Sequence, residues 1–499
     1  MFLIDFAVLI VAALVSSVVV FVWRRAQKFK LRSKLGLDGP PTSFVGGNIH
    51  QLVEDAVKRG GEFRPDFLTD WIKRYGDEKG CFGFYMGPQL VVYIKDKEML
   101  KEIFVKQFSN FPDRLYDPAH AHPPLSDSMM QKTTAGGWKQ SRNALSPTFT
   151  TGKMKLMFDQ IHEKESAFLT VLERRAAAGK PFNIYADFQG LTLDVIAKVA
   201  FALQSNSLEN HNDPFYINVR EMFRQADLKA AWYVPLMVFF PEFSWLYGKL
   251  RPLTAFGRHE KVLTDGLWKV YGQRKKMFHD FKGVDAMQLM LQQEADPDNE
   301  KDQKYTLAPK EVVANCYAFL LGGYETTATA LGYTSQLLAG HPEEPLYDEV
   351  MRLPYLNAVF KESLRFYPPV IAFNGRHCIS DTRVGHLDIP KGVEVLVNVY
   401  NYHHDPDIWE NPDTFDPDRF MDGRDKTYHP MAWLPFGEGP RHCVGLRFAQ
   451  MEYKMTLARL LKRFTFDPQL PFKVLKLRQV SGVMQPLDGQ ITVTLRKRG

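Results

Sequence analysis

Apolar residues in this chain recur mostly at helical spacing, three or four positions apart, and strand-like alternation is confined to short stretches. Helical spacing places apolar side chains on one face of a helix, whereas alternation places them on one face of a strand. The pattern therefore predicts a mainly α fold with a small β region. The longest predicted helices cover residues 154–177, 188–203 and 312–338, and the predicted strands cover 90–94, 394–399 and 490–495.

After residue 45 the chain shows neither an internal repeat nor a low-complexity tract, and no linker divides it. Domain boundaries usually fall in flexible, polar or Pro/Gly-rich segments. We therefore expect residues 45–499 to form one large domain.

The N-terminal segment has the pattern of a membrane anchor. Residues 6–23 carry no charge and no proline, and with residues 1–4 they are long enough to cross a hydrocarbon core of about 30 Å as a helix. Six Lys and Arg residues follow between positions 24 and 34, whereas only Asp5 precedes. The positive-inside rule then predicts a single-pass anchor at residues 1–23, with the rest of the chain in the cytoplasm.

A cleaved secretory signal is the competing interpretation of this segment. A signal carries its positive charge before the apolar run and a small-residue cleavage site after it. Here the charge follows the run, so a retained anchor is favoured. Residues 24–44 are then a basic, proline-rich linker, in which Gly39-Pro40-Pro41 forms a stiff non-helical spacer.

An unusually aromatic segment, AAWYVPLMVFFPEFSWLYG, covers residues 230–248. Aromatic residues mostly fill protein interiors, so one interpretation is core packing. The alternatives are a second patch that enters the bilayer beside the anchor and a lid over an apolar pocket. The sequence alone leaves the three open.

Composition narrows the range of partners and compartments. A net charge of +6 without a long basic block does not favour nucleic acid, and we expect no nucleic-acid partner. The four cysteines, at positions 81, 316, 378 and 443, are scattered and form no CxxC pair. We therefore expect no disulfide scaffold, and we expect the protein to lie in a reducing compartment.

The most informative stretch is FGEGPRHCVG at residues 436–445, which begins with Phe436. A helical pattern starts after Cys443, so this cysteine lies near a helix N-terminus, where backbone N–H groups favour a thiolate. Gly437 and Gly439 permit a tight turn and a close approach to a flat ligand, and Gly445 keeps the first helical turn free of a side chain. Arg441 supplies a cation suited to a carboxylate.

The predicted helix at 312–338 contains Gly322-Gly323-Tyr324-Glu325-Thr326-Thr327 at its middle. Two glycines inside a helix cost about 1 kcal/mol each relative to alanine, so a compensating role is expected. A surface of small residues against which a ligand lies would provide one. Glu325 and Thr326 then offer an acid and a hydroxyl for proton delivery, although a threonine bonded to its own helix backbone is the alternative.

These motifs together resemble the cytochrome P450 superfamily, and the resemblance extends over nearly the whole chain after the anchor. It implies a largely helical, triangular fold with a minor β region, which binds heme b through Cys443 as the axial ligand of iron. Thr326 would be the distal alcohol and Glu325 its acidic neighbour. The resemblance also implies a structural cluster of Glu362, Arg365 and Arg419, and heme carboxylates held by Trp138, Arg142, Arg376 and Arg441.

The function implied is a monooxygenase that inserts one oxygen atom of O₂ into a lipophilic substrate. Electrons would come from NADPH through a flavoprotein reductase in the endoplasmic reticulum membrane, with cytochrome b5 left open as a further partner. The substrate would contact Ala318, Phe319 and Gly322, residues 370–373, and the loops at 115–129 and 480–484.

Two other functions stay open at this level. One is a heme-thiolate isomerase or dehydratase that acts on a peroxide without a reductase. The other is a heme-binding variant with impaired activity, because residues 343–352 are shorter than the helix and loop usual in the family.

Overall fold

The computed structural model describes residues 2–58, 64–76, 78–115, 121–210, 212–226, 233–281, 285–294, 306–340, 353–467, 473–480 and 482–498. Helices dominate these ranges, so the predicted mainly α fold with a small β region is confirmed. The interval 343–352, predicted to be shortened, lies outside the described residues. The helices are α1 (Phe2–Phe29), α2 (Leu31–Lys34), α3 (Ile49–Lys58), α4 (Thr69–Trp71), α5 (Lys97–Lys101), α6 (Trp138–Leu145), α7 (Thr151–Ala178), α8 (Ile184–Phe201), α9 (Pro214–Gln225), α10 (Val234–Phe239), α11 (Ser244–Leu250), α12 (Ala255–Lys276), α13 (Ala286–Leu291), α14 (Pro309–Gly340), α15 (Leu353–Phe366), α16 (Val399–His403) and α17 (Leu446–Arg463).

Strands form one sheet of mixed direction, with the order β1-β2-β8-β5-β3, and several two-stranded sheets. Strand β2 pairs antiparallel with β1 and parallel with β8, and β5 pairs antiparallel with both β8 and β3. The strands are β1 (Cys81–Met86), β2 (Gln89–Ile94), β3 (Asp113–Arg114), β4 (Phe182–Asn183), β5 (Arg376–His377), β6 (Thr382–Val384), β7 (Leu387–Ile389), β8 (Glu394–Leu396), β9 (Phe464–Phe466), β10 (Leu477–Val480), β11 (Val483–Pro486), β12 (Thr492–Val493) and β13 (Leu495–Lys497).

The three long predicted helices are present as α7, α8 and α14. The strand predicted at 394–399 is shorter than expected, because the Asn398 side chain accepts a hydrogen bond from the Asn401 backbone N–H and caps α16. Such a cap stabilises the start of a helix, so the chain leaves the strand after Leu396. The strand predicted at 490–495 is divided between β12 and β13.

Helix α14 lies at the centre of the molecule, packed along α8. At their contact, a Cβ on Gly323 would lie 2.8 Å from the Ile196 side chain, so only glycine allows the two helices this approach. The largest apolar core combines residues of α7, α8, α14, α15 and α17. A second core surrounds the N-terminal half of α14, against α9 and α12.

A buried charge cluster joins α15 to the segment that precedes α17. The Arg365 guanidinium bonds the Glu362 carboxylate through both Nε, at 2.7 Å, and Nη2, at 2.8 Å, and both side chains are fully buried. Arg419 Nε lies 3.5 Å from the same carboxylate. Arg365 also donates to the carbonyls of His403 and Pro412, each at 2.8 Å. The predicted cluster of three charges is therefore assembled in space, away from the surface.

Helix α1 is the one helix in the described ranges whose length and composition would allow it to cross a membrane. Its apolar side chains from Leu9 onwards are mostly exposed. The end of α1 and the residues after it pack on the domain, since the Tyr85 hydroxyl donates to the Lys28 carbonyl at 2.9 Å and the Gly83 N–H donates to the Asp38 carbonyl at 2.9 Å. Residues 24–44 therefore contact the globular part at more than one point.

Replacing Arg365 with glutamine should lower the free energy of unfolding by about 3–5 kcal/mol, because the Glu362 carboxylate would stay buried without its main partner. Urea denaturation followed by tryptophan fluorescence measures this change. Arg174→Gln is the matched control, because Arg174 pairs with Glu209 on the surface. Loss of an exposed pair should cost less than about 1 kcal/mol. Equal effects in the two variants would contradict the structural role.

Candidate active site

A cavity of about 930 Å³ lies between α14 and the loop that contains Cys443. From this loop it extends past α8 and β11 toward α3, the turn after β1 and the end of α10. Most of its lining is apolar, as is usual for sites that take small organic molecules. Its volume includes all the space between the cysteine loop and the α14 wall, so it has to hold any cofactor together with the substrate.

The cysteine loop, residues 436–445, is closed by its own backbone. The Cys443 N–H donates to the Phe436 carbonyl at 2.9 Å, and the Phe436 ring stacks on Phe360 with centroids 6.1 Å apart. Gly437 and Gly439 have φ of +68° and +72°, which explains the need for glycine at both turns. Phe436, Cys443 and Gly445 line the cavity.

Gly437 and Gly439 differ from the prediction in what they approach. A Cβ on Gly439 would clash with the Phe104 carbonyl, and one on Gly437 would lie 2.7 Å from the Asn374 side chain. Their close approaches are thus to other parts of the protein, and neither belongs to the cavity lining. The sequence of the loop could not predict these contacts, because Phe104 and Asn374 come from distant parts of the chain.

The Cys443 thiol experiences opposing influences on its pKa. Burial raises the pKa, whereas the backbone N–H groups of Gly445 and Leu446 and the cations of Arg142 and Arg114 lower it. Burial prevails, so the helix N-terminus alone does not give the thiolate that we expected from the sequence. A metal cation bound to the sulfur would shift this balance, since a coordinating thiol loses its proton.

The opposite wall of the cavity is formed by the middle of α14. Gly322, Gly323 and Thr326 line it. A Cβ on Gly322 would meet only the Met130 side chain, at 3.9 Å, so this part of the helix offers bare backbone to the cavity. The Thr326 hydroxyl donates to the Gly322 carbonyl at 2.5 Å, which is the bond to the helix backbone left open as an alternative.

Glu325 does not lie beside the Thr326 hydroxyl. Its buried carboxylate accepts hydrogen bonds from the Tyr185 hydroxyl, from Gln189 at 3.1 Å and from Gln485 at 2.8 Å, and it does not line the cavity. Consecutive residues of a helix point in different directions, so neighbours in sequence occupy different faces. Burial raises the pKa of Glu325, although the three donors oppose the shift.

Several arginines converge at one edge of the cavity. Arg114 and Arg376 stand directly opposite each other on β3 and β5, an arrangement that like charges disfavour. Burial, together with Arg441, lowers the pKa of Arg376 to about 9, and burial lowers the pKa of Arg441 to about 10. The Asp113 carboxylate lies 3.4 Å from Arg441, but its single negative charge does not balance the positive charges of Arg114, Arg376 and Arg441.

Two of these guanidinium groups retain unused donors. Arg376 Nε and Arg441 Nη1 are buried and have no hydrogen-bond partner among the described residues. Buried donors and buried cations are costly unless a partner is bound. The edge therefore fits a ligand that carries more than one carboxylate, and the two propionates of heme meet that requirement. The bare wall of α14 opposite Cys443 fits a flat macrocycle between them.

The remaining predicted cofactor residues lie at the same edge. The Arg441 guanidinium lies 4.3 Å from the centroid of the buried Trp138 ring. Arg142 Nη1 donates to the His442 carbonyl at 3.0 Å and so contacts the cysteine loop. Trp138, Arg142 and Arg441 line the cavity, and Arg376 lies beside Arg114, its partner in the β3–β5 strand pair.

Arg114 is a candidate that sequence reasoning missed. It is partly buried, lines the cavity, and donates to the carbonyls of Met130 at 2.9 Å and Phe373 at 2.7 Å. Its position follows from the pairing of β3, a strand of only two residues, with β5. Such a short strand leaves no alternation pattern to detect.

The residues predicted to contact substrate mostly line the cavity. The lining includes predicted residues from α14, from both sides of Ile371, and from the described parts of the loops at 115–129 and 480–484. They are Ala318, Phe319, Gly322, Val370, Ala372, Phe373, Leu115, Leu125, Met129, Gly482 and Val483.

Comparison with known proteins agrees with this geometry. Residues 38–493 match the family model described as "Cytochrome P450". The chain is 32% identical to cytochrome P450 3A29 of Sus scrofa over 483 residues, which cover 91% of this chain and 90% of that protein. It is 31% identical to cytochrome P450 3A7 of Homo sapiens over 471 residues, which cover 89% of each. With its cysteine loop, its α14 wall and its arginine edge in the arrangement described, this chain belongs to the cytochrome P450 family of heme-b monooxygenases.

Proposed function

We propose that this monooxygenase inserts one oxygen atom of O₂ into a lipophilic substrate, with Cys443 as the iron ligand and NADPH-derived electrons supplied by a flavoprotein reductase. The observation that carries the proposal is the position of the Cys443 sulfur in the floor of an apolar cavity, opposite Thr326 and beside an edge of buried arginines. Bound there, heme supplies oxygen activation, since thiolate ligation favours cleavage of the O–O bond.

The protein's first task is to hold the sulfur. The Gly445 and Leu446 N–H groups and the Arg142 cation favour its anionic form once the iron opposes the cost of burial. Arg114, Arg376 and Arg441 bind the propionates, and the unused donors of Arg376 and Arg441 fix the orientation of the macrocycle. We assign Trp138 to packing beneath Arg441, and Arg142 to the cysteine loop as well as the cofactor.

The second task is to deliver protons into an otherwise apolar space. Thr326, like Thr327, lines the cavity, and we assign its hydroxyl to accept and return protons there. Glu325 enters the proposal as a proton store on the far face of α14, where burial favours its neutral form. Gly322 leaves room beside Thr326 for water and substrate.

The third task is to exclude solvent and select apolar molecules. The cavity walls near α14 consist of Leu, Met, Phe, Val and Ala side chains, so burial of a lipophile there is favoured by the area it removes from water. Charged side chains of the lining occur toward its two ends, with Arg114, Arg142 and Arg441 at the arginine edge and Lys28 and Glu242 at the outer end. A lipophilic substrate class follows from this distribution.

The proposed setting is the cytoplasmic face of the endoplasmic reticulum membrane, with α1 as a single-pass anchor. The basic residues after α1 support this orientation. The aromatic segment supports it too, because Phe243 and Trp245 are 55% and 57% exposed in the described part of that segment. Core packing does not describe these two side chains, and contact with lipid would cover them.

Lys139 and Arg447 support a docking site for the reductase. Both are exposed and flank the cysteine loop, one from α6 and one from the first turn of α17. A cationic rim at this point would attract an acidic electron-transfer partner and orient it toward the sulfur ligand. Cytochrome b5 would compete for the same face.

Replacing Cys443 with serine should abolish the thiolate-type absorption of the ferrous CO complex, because serine cannot provide a thiolate ligand. Cys378→Ser is the matched control. Cys378 donates to the Ser380 carbonyl at 3.0 Å, a bond that serine retains, so its spectrum should equal that of the unmodified chain. A thiolate spectrum that survives in Cys443→Ser would refute the assignment.

The reductase dependence is tested on the unmodified chain. Product from a panel of lipophiles should require NADPH, O₂ and a purified flavoprotein reductase. Turnover of a lipid hydroperoxide without NADPH would instead indicate an isomerase or dehydratase. Stable heme with neither activity would indicate a heme-binding variant.

Replacing Arg376 with glutamine should weaken heme binding about 10- to 100-fold, because one charge-assisted hydrogen bond contributes about 1.5–3 kcal/mol. The rate of heme transfer to an excess of apomyoglobin measures the loss. Arg383→Gln, in the exposed strand β6, should leave that rate unchanged. If both variants behaved alike, the arginine edge would not be the propionate site.

Replacing Thr326 with valine should leave NADPH oxidation in place but lower product per NADPH at least about tenfold, because proton transfer by a positioned group contributes about 100-fold or more. Thr326→Ser keeps the hydroxyl and should retain most coupling. Product and peroxide formed per NADPH are measured for both. Equal coupling in the valine and serine variants would remove Thr326 from the proton path.

A further inference from the structure

Arg25 is buried at the base of the anchor helix, where a cation would ordinarily face lipid headgroups. It is only 2% exposed, whereas the adjacent Arg24 is exposed. Long basic side chains that flank a membrane helix usually extend to the polar interface. Burial of one guanidinium in such a position therefore requires partners within the protein.

The partners of Arg25 belong to two separate segments. Its Nε donates to the Phe44 carbonyl at 3.1 Å, and its Nη2 donates to the Val45 carbonyl and, at 2.5 Å, to the Phe239 carbonyl. Its Nη1 lies 4.0 Å from the Glu242 carboxylate. The guanidinium also lies 5.3 Å from the centroid of the Phe240 ring. One side chain thus ties α1 to the loop before α3 and to the end of α10.

The second of these segments, residues 238–242, is here called the lid segment. Val238, Pro241 and Glu242 line the outer end of the cavity, opposite Ile49 and Leu52 of α3. Lys28, one turn after Arg25, lines the same end. The cavity therefore ends at the base of the anchor, directly under the segment that Arg25 holds.

Two glycines form the surface on which the lid segment rests. A Cβ on Gly46 would lie 2.9 Å from the Phe239 ring, and one on Gly87 would clash with the Val238 carbonyl. The segment is therefore in direct contact with backbone at both points. Neither glycine has a side chain that could form a polar contact with the lid segment, so Arg25 supplies the polar attachment.

We propose that Arg25 is a specificity-determining residue that controls entry of substrate from the bilayer, by holding the lid segment across the membrane end of the cavity. The inference rests on the proposed function, in which a lipophile reaches a membrane-anchored enzyme. A large apolar molecule enters only when the lid segment leaves its glycine seat, which breaks the bonds of Arg25 to Phe239 and Glu242. A small ligand needs no such opening.

The test uses the full-length heme protein in phosphatidylcholine vesicles. Binding of 1-dodecylimidazole and of imidazole is followed by stopped-flow Soret absorption in Arg25→Gln and in Arg24→Gln. Both variants lose one positive charge at adjacent positions of α1, so the net charge is matched. Because a hydrogen bond to a charged group opposes opening, Arg25→Gln should accelerate both association and dissociation of 1-dodecylimidazole about tenfold. Its imidazole rates, and all rates of Arg24→Gln, should equal those of the unmodified chain.

Gly46→Ala provides a second perturbation that changes no charge. The new methyl group would displace the Phe239 ring, so this variant should also accelerate exchange of 1-dodecylimidazole and spare imidazole. Unchanged 1-dodecylimidazole rates in Arg25→Gln would overturn the proposal, as would an equal acceleration for imidazole. Either result, obtained with a normal thiolate spectrum, leaves the proposed function intact.

Amide hydrogen exchange supplies a readout independent of heme. Deuterium uptake in residues 236–246 should rise in Arg25→Gln and stay at the level of the unmodified chain in Arg24→Gln. If uptake there were the same in both variants, Arg25 would not hold the lid segment. If the unmodified chain showed no thiolate spectrum, the proposed function would be wrong. The exchange measurement would still test whether Arg25 holds the lid segment.

Discussion

The Glu362 carboxylate lies fully buried between Arg365 and Arg419, and the path of the chain into the active site depends on it. Once Arg365 is fixed by this carboxylate, its other N–H groups bind the carbonyls of His403 and Pro412. The His403 ring in turn accepts the Leu434 N–H at 3.0 Å, two residues before the cysteine loop begins. The position of Cys443, the proposed iron ligand, is thus connected through a series of hydrogen bonds to one buried ion pair.

At the arginine edge, burial of a charge also requires a partner of opposite sign, but here the protein does not supply enough of them. At Glu362 the protein supplies both signs of charge, so the cluster is complete and can be purely structural. Around Arg114, Arg376 and Arg441 it supplies cations with too few anions, at the cost of lowered arginine pKa values and unused donors. A deficit of this kind marks a binding site, because only a ligand can remove it.

The sequence was sufficient for features that depend on local pattern. Helical periodicity located α7, α8 and α14, and the pattern that follows Cys443 located the start of α17. It was insufficient where distant segments meet. Arg114 became a site residue through a two-residue strand pair, and Arg25 became buried through carbonyls far along the chain. The aromatic segment was ambiguous because composition does not say which side of a short helix faces solvent.

Thr326 and Glu325 of α14 show how adjacency in sequence can separate two groups to which the proposed function gives a common task. Thr326 commits its hydrogen to the Gly322 carbonyl, so its oxygen acts first as an acceptor. Glu325 lies on the far face, where Tyr185 and Gln485 hold its carboxylate. In the proposed function, a proton stored on Glu325 has to travel around the helix to reach the cavity. Gly323 packs against Ile196 of α8, whereas Gly322 leaves bare backbone at the cavity, and water lying against it would complete the path. Gly322, although a glycine destabilises a helix in isolation, would therefore serve proton movement as well as space for the ligand.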